Sequence, residues 1–333
     1  MPEFQFFDFL VIGSINTEYI VDLNGRSHHG VVGGPALYTA GGMRCWNDRI
    51  AIVSHTRVEH QDFFRSINRK YQISIEGVHF HADFQDDRTF LGYISPHEVV
   101  IENPVAFYAS RDLTFPRELF GYDQKYLETH EETRFFPEDF PSHYRDCTSA
   151  LICQTDLKTQ LQMSSLLLNA STKNLLLQSS DQYMNMANFD ALPALMKDLN
   201  VFVTTTAQIE NLFRNRSQDT WEMAEHLCNL GCQYVIMHDD TFGQYLVDGR
   251  LKKRFQLPAY PVSIVDPTGM QEAFCGGFLT GIKKNYDPVE AMLYGNVSAS
   301  LTAEGTGPFF CMDAMPGLVD SRLNFARELV KSI

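Results

Sequence analysis

The apolar positions of this chain fall into short continuous runs. FDFLVIG (7 to 13), RIAIVS (49 to 54), ALIC (150 to 153), NLLLQ (174 to 178), NVFVT (200 to 204), QYVIM (233 to 237) and QYLVDG (244 to 249) each read as a strand. Helical stretches separate them at about 35 to 45, 59 to 70, 157 to 169, 189 to 198, 207 to 214 and 218 to 229. Such alternation predicts the α/β class, with a mostly parallel sheet covered on both faces. The glycine at Gly231 supplies a helix C-terminal signal just before the run at 233.

One region breaks the alternation. GVHFHADF, RTFLGYIS and VVIENPVAFYAS, between about 77 and 110, read as consecutive strands of a small sheet projecting from the main body. The segment from 111 to 147 is rich in Phe, Tyr, Glu and Pro without a clear period and is expected to be irregular, with short helices. His79 and His81 alternate on one strand and so face one side; no carboxylate stands at fixed spacing, which favours an exposed small-sheet surface over a metal pair.

Composition adds bounds. The 333 residues are 44% hydrophobic and 20% charged, enough for a large core and consistent with one domain over 1 to 333. A formal charge of -14 argues against a nucleic-acid partner, which calls for clustered Lys and Arg. The first apolar run lacks a basic leader and a cleavage site, and no run approaches transmembrane length, so no membrane association is expected. Seven scattered cysteines fit buried thiols in a reducing cytoplasm better than a disulfide framework. Cys228 and Cys232 share a helix face, but third and fourth zinc ligands at suitable spacing are missing.

The stretch most suited to chemistry is DPTGMQEAFCGGF, residues 266 to 278. A Thr-Gly turn precedes a helix of small residues, and a helix N-terminus favours an anion. Backbone donors at Gly269, Met270 and Gln271 would stabilise charge developing on a phosphate there. Glu272, on the same turn, is placed to accept a proton from an attacking hydroxyl; its alternative role is to complement the helix dipole while Gly276 and Gly277 serve packing.

Asp266-Pro-Thr-Gly-Met-Gln-Glu-Ala-Phe resembles the C-terminal signature of the ribokinase-like (PfkB) carbohydrate and nucleoside kinases, D-[TP]-T-G-A-G-D-A-F. Gly33-Gly34-Pro-Ala-Leu-Tyr-Thr-Ala resembles that family's substrate loop, and VIGSINTE its opening strand. The ordering agrees along essentially the whole chain. This resemblance implies a ribokinase-like three-layer sandwich with a mostly parallel central sheet and a small β-sheet lid, at about 14 to 24 and 77 to 110. It also implies ATP and Mg²⁺ as cofactors and a small-molecule sugar or nucleoside as partner. Glu272 takes the role of base, with Gly269, Met270 and Gln271 forming the anion hole. Asn16, Glu18, Gly33, Gly34 and Tyr38 fall on the substrate side, where Tyr38 either stacks on a base or sugar or fills the core. Glu210, His238, Asp240, Gly243, Thr268 and Asn296 fall on the nucleotide side, and Glu210 would meet the metal through water.

The chain departs from the family pattern at several of these positions. Glu272 stands for the usual Asp, Gln271 for a Gly whose space a γ-phosphate needs, Ala207 for the Asn of N-x-x-E, and Tyr38 for a common Asn. The loop His238-Asp-Asp240-Thr-Phe-Gly243 keeps one glycine and sets acids beside a polyphosphate, while His238 is either a phosphate donor or an exposed loop residue. The basicity of Glu and Asp is nearly equal, so reach is the issue. Two readings follow: an ATP-dependent kinase with a rearranged site, or a ribokinase-like protein that binds ligand without efficient transfer. An interaction module that dimerises through the lid is a third. P-loop, Rossmann and hydrolase-elbow motifs are absent from the sequence.

Overall fold

The computed structural model describes residues 7–46, 48–83, 86–123, 135–240 and 242–332. Ten strands form the main sheet: β1 (Phe9–Ile12), β4 (Ile50–Arg57), β5 (Ser74–His81), β8 (Ser149–Ile152), β9 (Asn174–Gln178), β10 (Val201–Thr205), β11 (Tyr234–Asp239), β12 (Gly243–Asp248), β13 (Lys253–Leu257) and β14 (Lys331–Ser332). Their order is β14-β13-β12-β11-β10-β9-β8-β1-β4-β5. Pairing is parallel from β5 through to β11 and antiparallel from β11 to β14.

The continuous apolar runs are explained by burial on both faces. Phe9, Val11, Ile50, Ile52, Leu176 and Val203 turn to one face, packed with α1 (Pro35–Arg44), α8 (Met270–Asn285) and α9 (Pro288–Thr302). Leu10, Ile12, Ala51, Val53, Leu177 and Phe202 turn to the other, against α4 (Leu157–Leu168), α6 (Thr206–Leu212) and α7 (Thr220–Asn229). The result is the expected three-layer α/β/α sandwich. The remaining helices are α2 (Gln61–Tyr71), α3 (Pro104–Ser110), α5 (Leu192–Met196) and α10 (Leu318–Arg327). No helix among the described residues is long and apolar enough to cross a membrane.

The small sheet is built from β2 (Asn16–Val21), β3 (Ser27–Gly33), β6 (Arg88–Ser95) and β7 (Glu98–Val100), in the order β3-β2-β6-β7. Its make-up corrects the expected lid at both ends. Residues 77–81 belong to β5, which pairs with β4 at the edge of the main sheet, and residues 84 and 85 lie outside the described residues. The run VVIENPVAFYAS is strand only to Val100: Asn103 caps α3 by accepting from the Ala106 N–H, and Pro104 occupies its first turn. In exchange β3 joins the lid through a hairpin in which Asp22 Oδ1 accepts from the N–H groups of Asn24 and Arg26.

The apolar face of this sheet is covered by the chain itself. Tyr19, Val21 and Phe90 pack with Phe107 and Tyr108 of α3 and with Leu119. Dimerisation through the lid is the third of the readings above, and these six apolar residues pack within the chain. The segment from 111 to 147 has 3₁₀ turns at Arg117–Leu119, Pro137–Asp139 and Ser142–Asp146; its residues 124–134 lie outside the described residues.

Candidate active site

The signature turn sits where α8 begins, against α1 and beneath the lid. Asp266 is fully buried and its Oδ1 accepts from the Thr268 N–H at 2.9 Å, which folds the turn back on itself. Gly269 is the N-cap with φ 76°, and a Cβ there would stand 2.0 Å from the Tyr38 ring, so both conformation and space demand glycine. Of the three backbone donors expected to form an anion hole, Met270 N–H is spent within the turn, donating to Pro267 O at 3.2 Å. The Gln271 side chain is exposed at the helix start rather than packed inside the turn.

Glu272 is buried on the first turn of α8. Its Oε1 accepts from Gln154 Nε2, just beyond β8, and from Gln178 Nε2, the last residue of β9, each at 2.9 Å. Burial pushes its carboxyl above the usual carboxylate range, and the Gln178 amide, the backbone N–H of Glu272 itself and the Gln154 amide oppose that rise. Neither glutamine carries a sequence signal, because their convergence exists only once β8 and β9 lie side by side.

The substrate-side residues come together. Glu18 on β2 is buried; its Oε1 accepts from Gly34 N–H at 2.7 Å and its Oε2 from the Tyr38 hydroxyl at 2.8 Å. A Cβ on Gly33 would fall 2.1 Å from Glu18 Oε2, and Gly34 has φ 97°, so the paired glycines admit the acid between β2 and α1. Burial, with Asp266 and Glu272 nearby, raises the Glu18 carboxyl to about 8 despite those two donors. Tyr38 is 2% exposed and packed on Gly269, so of its two expected roles it fills the core. Asn16 opens β2, half-buried and paired with Gly33. The lid closes on this group: Thr268 Oγ1 donates to the Tyr93 hydroxyl of β6 at 3.0 Å.

The nucleotide-side residues are dispersed. Glu210 is exposed on α6, while the half-buried Gln208 forms a capping box with Thr205 and reaches Ser179 and Asp181. The spacing Thr205-x-x-Gln208 is a readable signal for that role. His238 is not an exposed loop residue: it lies buried within β11, edge-on to Phe274 at 4.6 Å, its Nε2 without a hydrogen-bond partner. Burial drives its pKa to about 4, so it is neutral and brings no positive charge to a phosphate. Asp240 is exposed, 3.9 Å from His97 at the tip of the β6–β7 hairpin. Gly243 has φ 111° and no room for a Cβ against Ala259 N, which explains the one retained glycine. Asn296 is buried, donating to Gln244 Oε1 and Pro258 O, so it ties α9 to β12 and to the residue that follows β13. His79 and His81 of β5 stack on His55 at the edge of the main sheet.

The residues fit the implied groups in part. The start of the 16-residue helix α8, ending at an exposed Gln271, suits a phosphate. Among the described residues no group of three His, Cys, Asp or Glu is arranged to hold a metal ion.

The family described as pfkB family carbohydrate kinase matches residues 144–315. A cytidine kinase of Thermococcus kodakarensis is 33% identical over 86 residues, 26% of this chain and 31% of that protein, so the chain matches only about a third of that relative's length. In structure, the fructokinase of Xylella fastidiosa with bound ATP superposes with a TM-score of 0.71 at 13% identity, covering 96% of this chain and 99% of the other. Aminoimidazole riboside kinase from Salmonella enterica, complexed with aminoimidazole riboside and an ATP analogue, gives 0.69 at 14% identity over 95% and 99%. At such identities the two structures establish the fold.

Proposed function

This chain belongs to the pfkB family of carbohydrate kinases, and from that premise we propose that it transfers the γ-phosphoryl group of ATP to a hydroxyl of a sugar or nucleoside-like substrate. Mg²⁺ bound with the nucleotide would neutralise phosphate charge. Glu272 accepts the hydroxyl proton, and the start of α8 with Gly269 and Gln271 receives the phosphoryl oxygens. The observation that carries this reading is Glu272 itself. It lies buried at the head of an anion-favouring helix, with one oxygen held by two amides and a carboxyl made more basic by burial. A base whose pKa is raised toward the working pH takes a proton more readily.

Glu18 and Tyr38 close the substrate side around Gly34. The seven thiols are all free, in keeping with work in the cytoplasm. The test is a phosphoryl-transfer assay over a panel of sugars and nucleosides with MgATP, run with Glu272→Gln. Wild-type turnover that falls roughly 10²- to 10⁴-fold in the variant, with binding retained, is the expected result. Ligand binding without turnover in the wild type would instead favour a binding protein, a reading to which the engagement of Glu18 by Tyr38 lends support.

A further inference from the structure

We propose that Gln154 and Gln178 are positioning residues for Glu272, holding one carboxylate oxygen so that the other is left for the reacting hydroxyl. The inference rests on the kinase reading for its chemistry, but the geometry is independent of it. An acid at the third position of a helix ordinarily reaches back to the N-cap N–H. The Glu272 carboxylate instead takes both amides on Oε1 at 2.9 Å each, from residues 118 and 94 positions away in sequence. Two donors from different strand ends fix the extra torsion that a glutamate has over an aspartate.

The arrangement leaves Gln178 incompletely paired. Its side chain is 5% exposed and its Oε1 has no partner, a buried acceptor that a purely structural amide would be expected to satisfy. The amide is thus committed to Glu272 at the expense of its own oxygen. Behind it stands a rigid support. Gln160 Nε2 donates to Cys153 O at 3.0 Å and to Gln178 O at 2.7 Å, while its Oε1 accepts from the Tyr183 hydroxyl at 2.6 Å. One buried side chain therefore clamps the ends of β8 and β9, the two places from which the amides reach out. Such support is what a reacting group needs, since a misplacement of about 1 Å can cost roughly a hundredfold in rate.

The experiment compares wild type with Gln154→Leu, Gln178→Leu and Glu272→Asp. First, the infrared carboxyl band of Glu272, identified by its loss in Glu272→Gln, is titrated without nucleotide. Each leucine variant should raise its midpoint by roughly one pH unit, because a donor to the charged form has gone. Second, the acid limb of the kcat/KM profile should move up by the same amount, with kcat lowered about tenfold or more and KM for MgATP within about twofold. Third, Glu272→Asp, although it restores the usual family residue, should lose activity, because the shorter acid withdraws from both amides.

Gln154 is exposed, so its variant keeps the test alive should Gln178→Leu fail to fold. Unmoved midpoints in the leucine variants, or a Glu272→Asp protein at least as active as wild type, overturn the proposal. Shifted midpoints in the leucine variants, alongside a wild type that transfers no phosphoryl group to any substrate, would uphold the positioning and sink the kinase reading.

Discussion

Thr268 Oγ1, in the turn that opens α8, donates a 3.0 Å hydrogen bond to the Tyr93 hydroxyl of the small sheet, across 175 residues of sequence. Both side chains are buried, so the lid and the turn at the head of α8 are joined by a specific contact. Tyr93→Phe leaves the threonine hydroxyl without that acceptor. A loss of about 1 kcal/mol is expected, near 2 °C in Tm for a chain of this size. The lid then opens more readily, and KM for the alcohol substrate should rise several-fold while KM for ATP holds. A lowered Tm with an unchanged alcohol KM would show that the contact serves the fold alone.

Glu18 sets a pH dependence of stability. Its pKa is about 8 in the folded chain against an ordinary 4.5, so between these values the unfolded chain has released a proton that the folded chain retains. The contribution is whole below 4.5 and is lost as pH rises to about 8, at roughly 1.4 kcal/mol per pH unit. Glu18→Gln keeps an acceptor for Gly34 N–H and a donor toward Tyr38, without the titration. Urea unfolding should find the variant close to wild type at pH 5 and more stable than it at pH 8, by up to about 4 kcal/mol. Parallel stability curves across this range would refute the burial argument.

The strands were legible because the main sheet is covered on both sides, which writes each one as an unbroken apolar run: NLLLQ, 174 to 178, is the same element in sequence and structure. The helix starting at Pro104 was not legible from propensity. Val105, Phe107 and Tyr108 suit a strand, and the Asn103-Pro104 start signal outweighs them once Asn103 caps the turn. At the site, the signature turn, Glu272 and Glu18 stand out because their chemistry is local. Gln154, Gln178 and Tyr93 do not, since their meaning arises when distant segments meet. His238 was misplaced for a related reason: β11 runs on to Asp239, so the histidine is still inside the sheet where the polar residues suggest a loop.

His238 titrates in the opposite sense to Glu18. Its folded pKa of about 4 lies below the ordinary 6.5, so the neutral ring is favoured, and its contribution is present above 6.5 and lost as pH falls toward 4. His238→Leu removes both the titration and the unpartnered Nε2 while keeping an apolar contact for Phe274. Thermal unfolding at pH 8 should place the variant level with wild type or up to about 1 kcal/mol above it. At pH 5 the variant's advantage should grow by about 2 kcal/mol, the cost to wild type of holding that ring neutral. His60, whose pKa burial also lowers to about 4, shifts both proteins alike and cancels in the difference. A variant that loses ground on going to pH 5 would show that His238 is charged in the folded chain.

The close approach of α1 and α8 gives the last expectation. A Cβ on Gly276 would lie 2.3 Å from Thr39 O, and one on Gly42 would lie 2.2 Å from Ala273 O, so the helices meet backbone to backbone. Those helices begin at Gly34 and Gly269, the two glycines that frame the site. Gly276→Ala cannot be relieved by turning a side chain, because the obstacle is a carbonyl oxygen; α8 must shift, and Glu272, one turn upstream, shifts with it. Overpacking of this kind costs about 1–3 kcal/mol, which differential scanning calorimetry will read as a Tm lower by several degrees. Because a displacement near 1 Å at the base is costly, kcat should fall by about tenfold or more even in the fraction that remains folded at 25 °C. A Gly276→Ala protein with wild-type Tm and turnover would mean that the helices tolerate separation, and that the glycines of α8 do not set the position of Glu272.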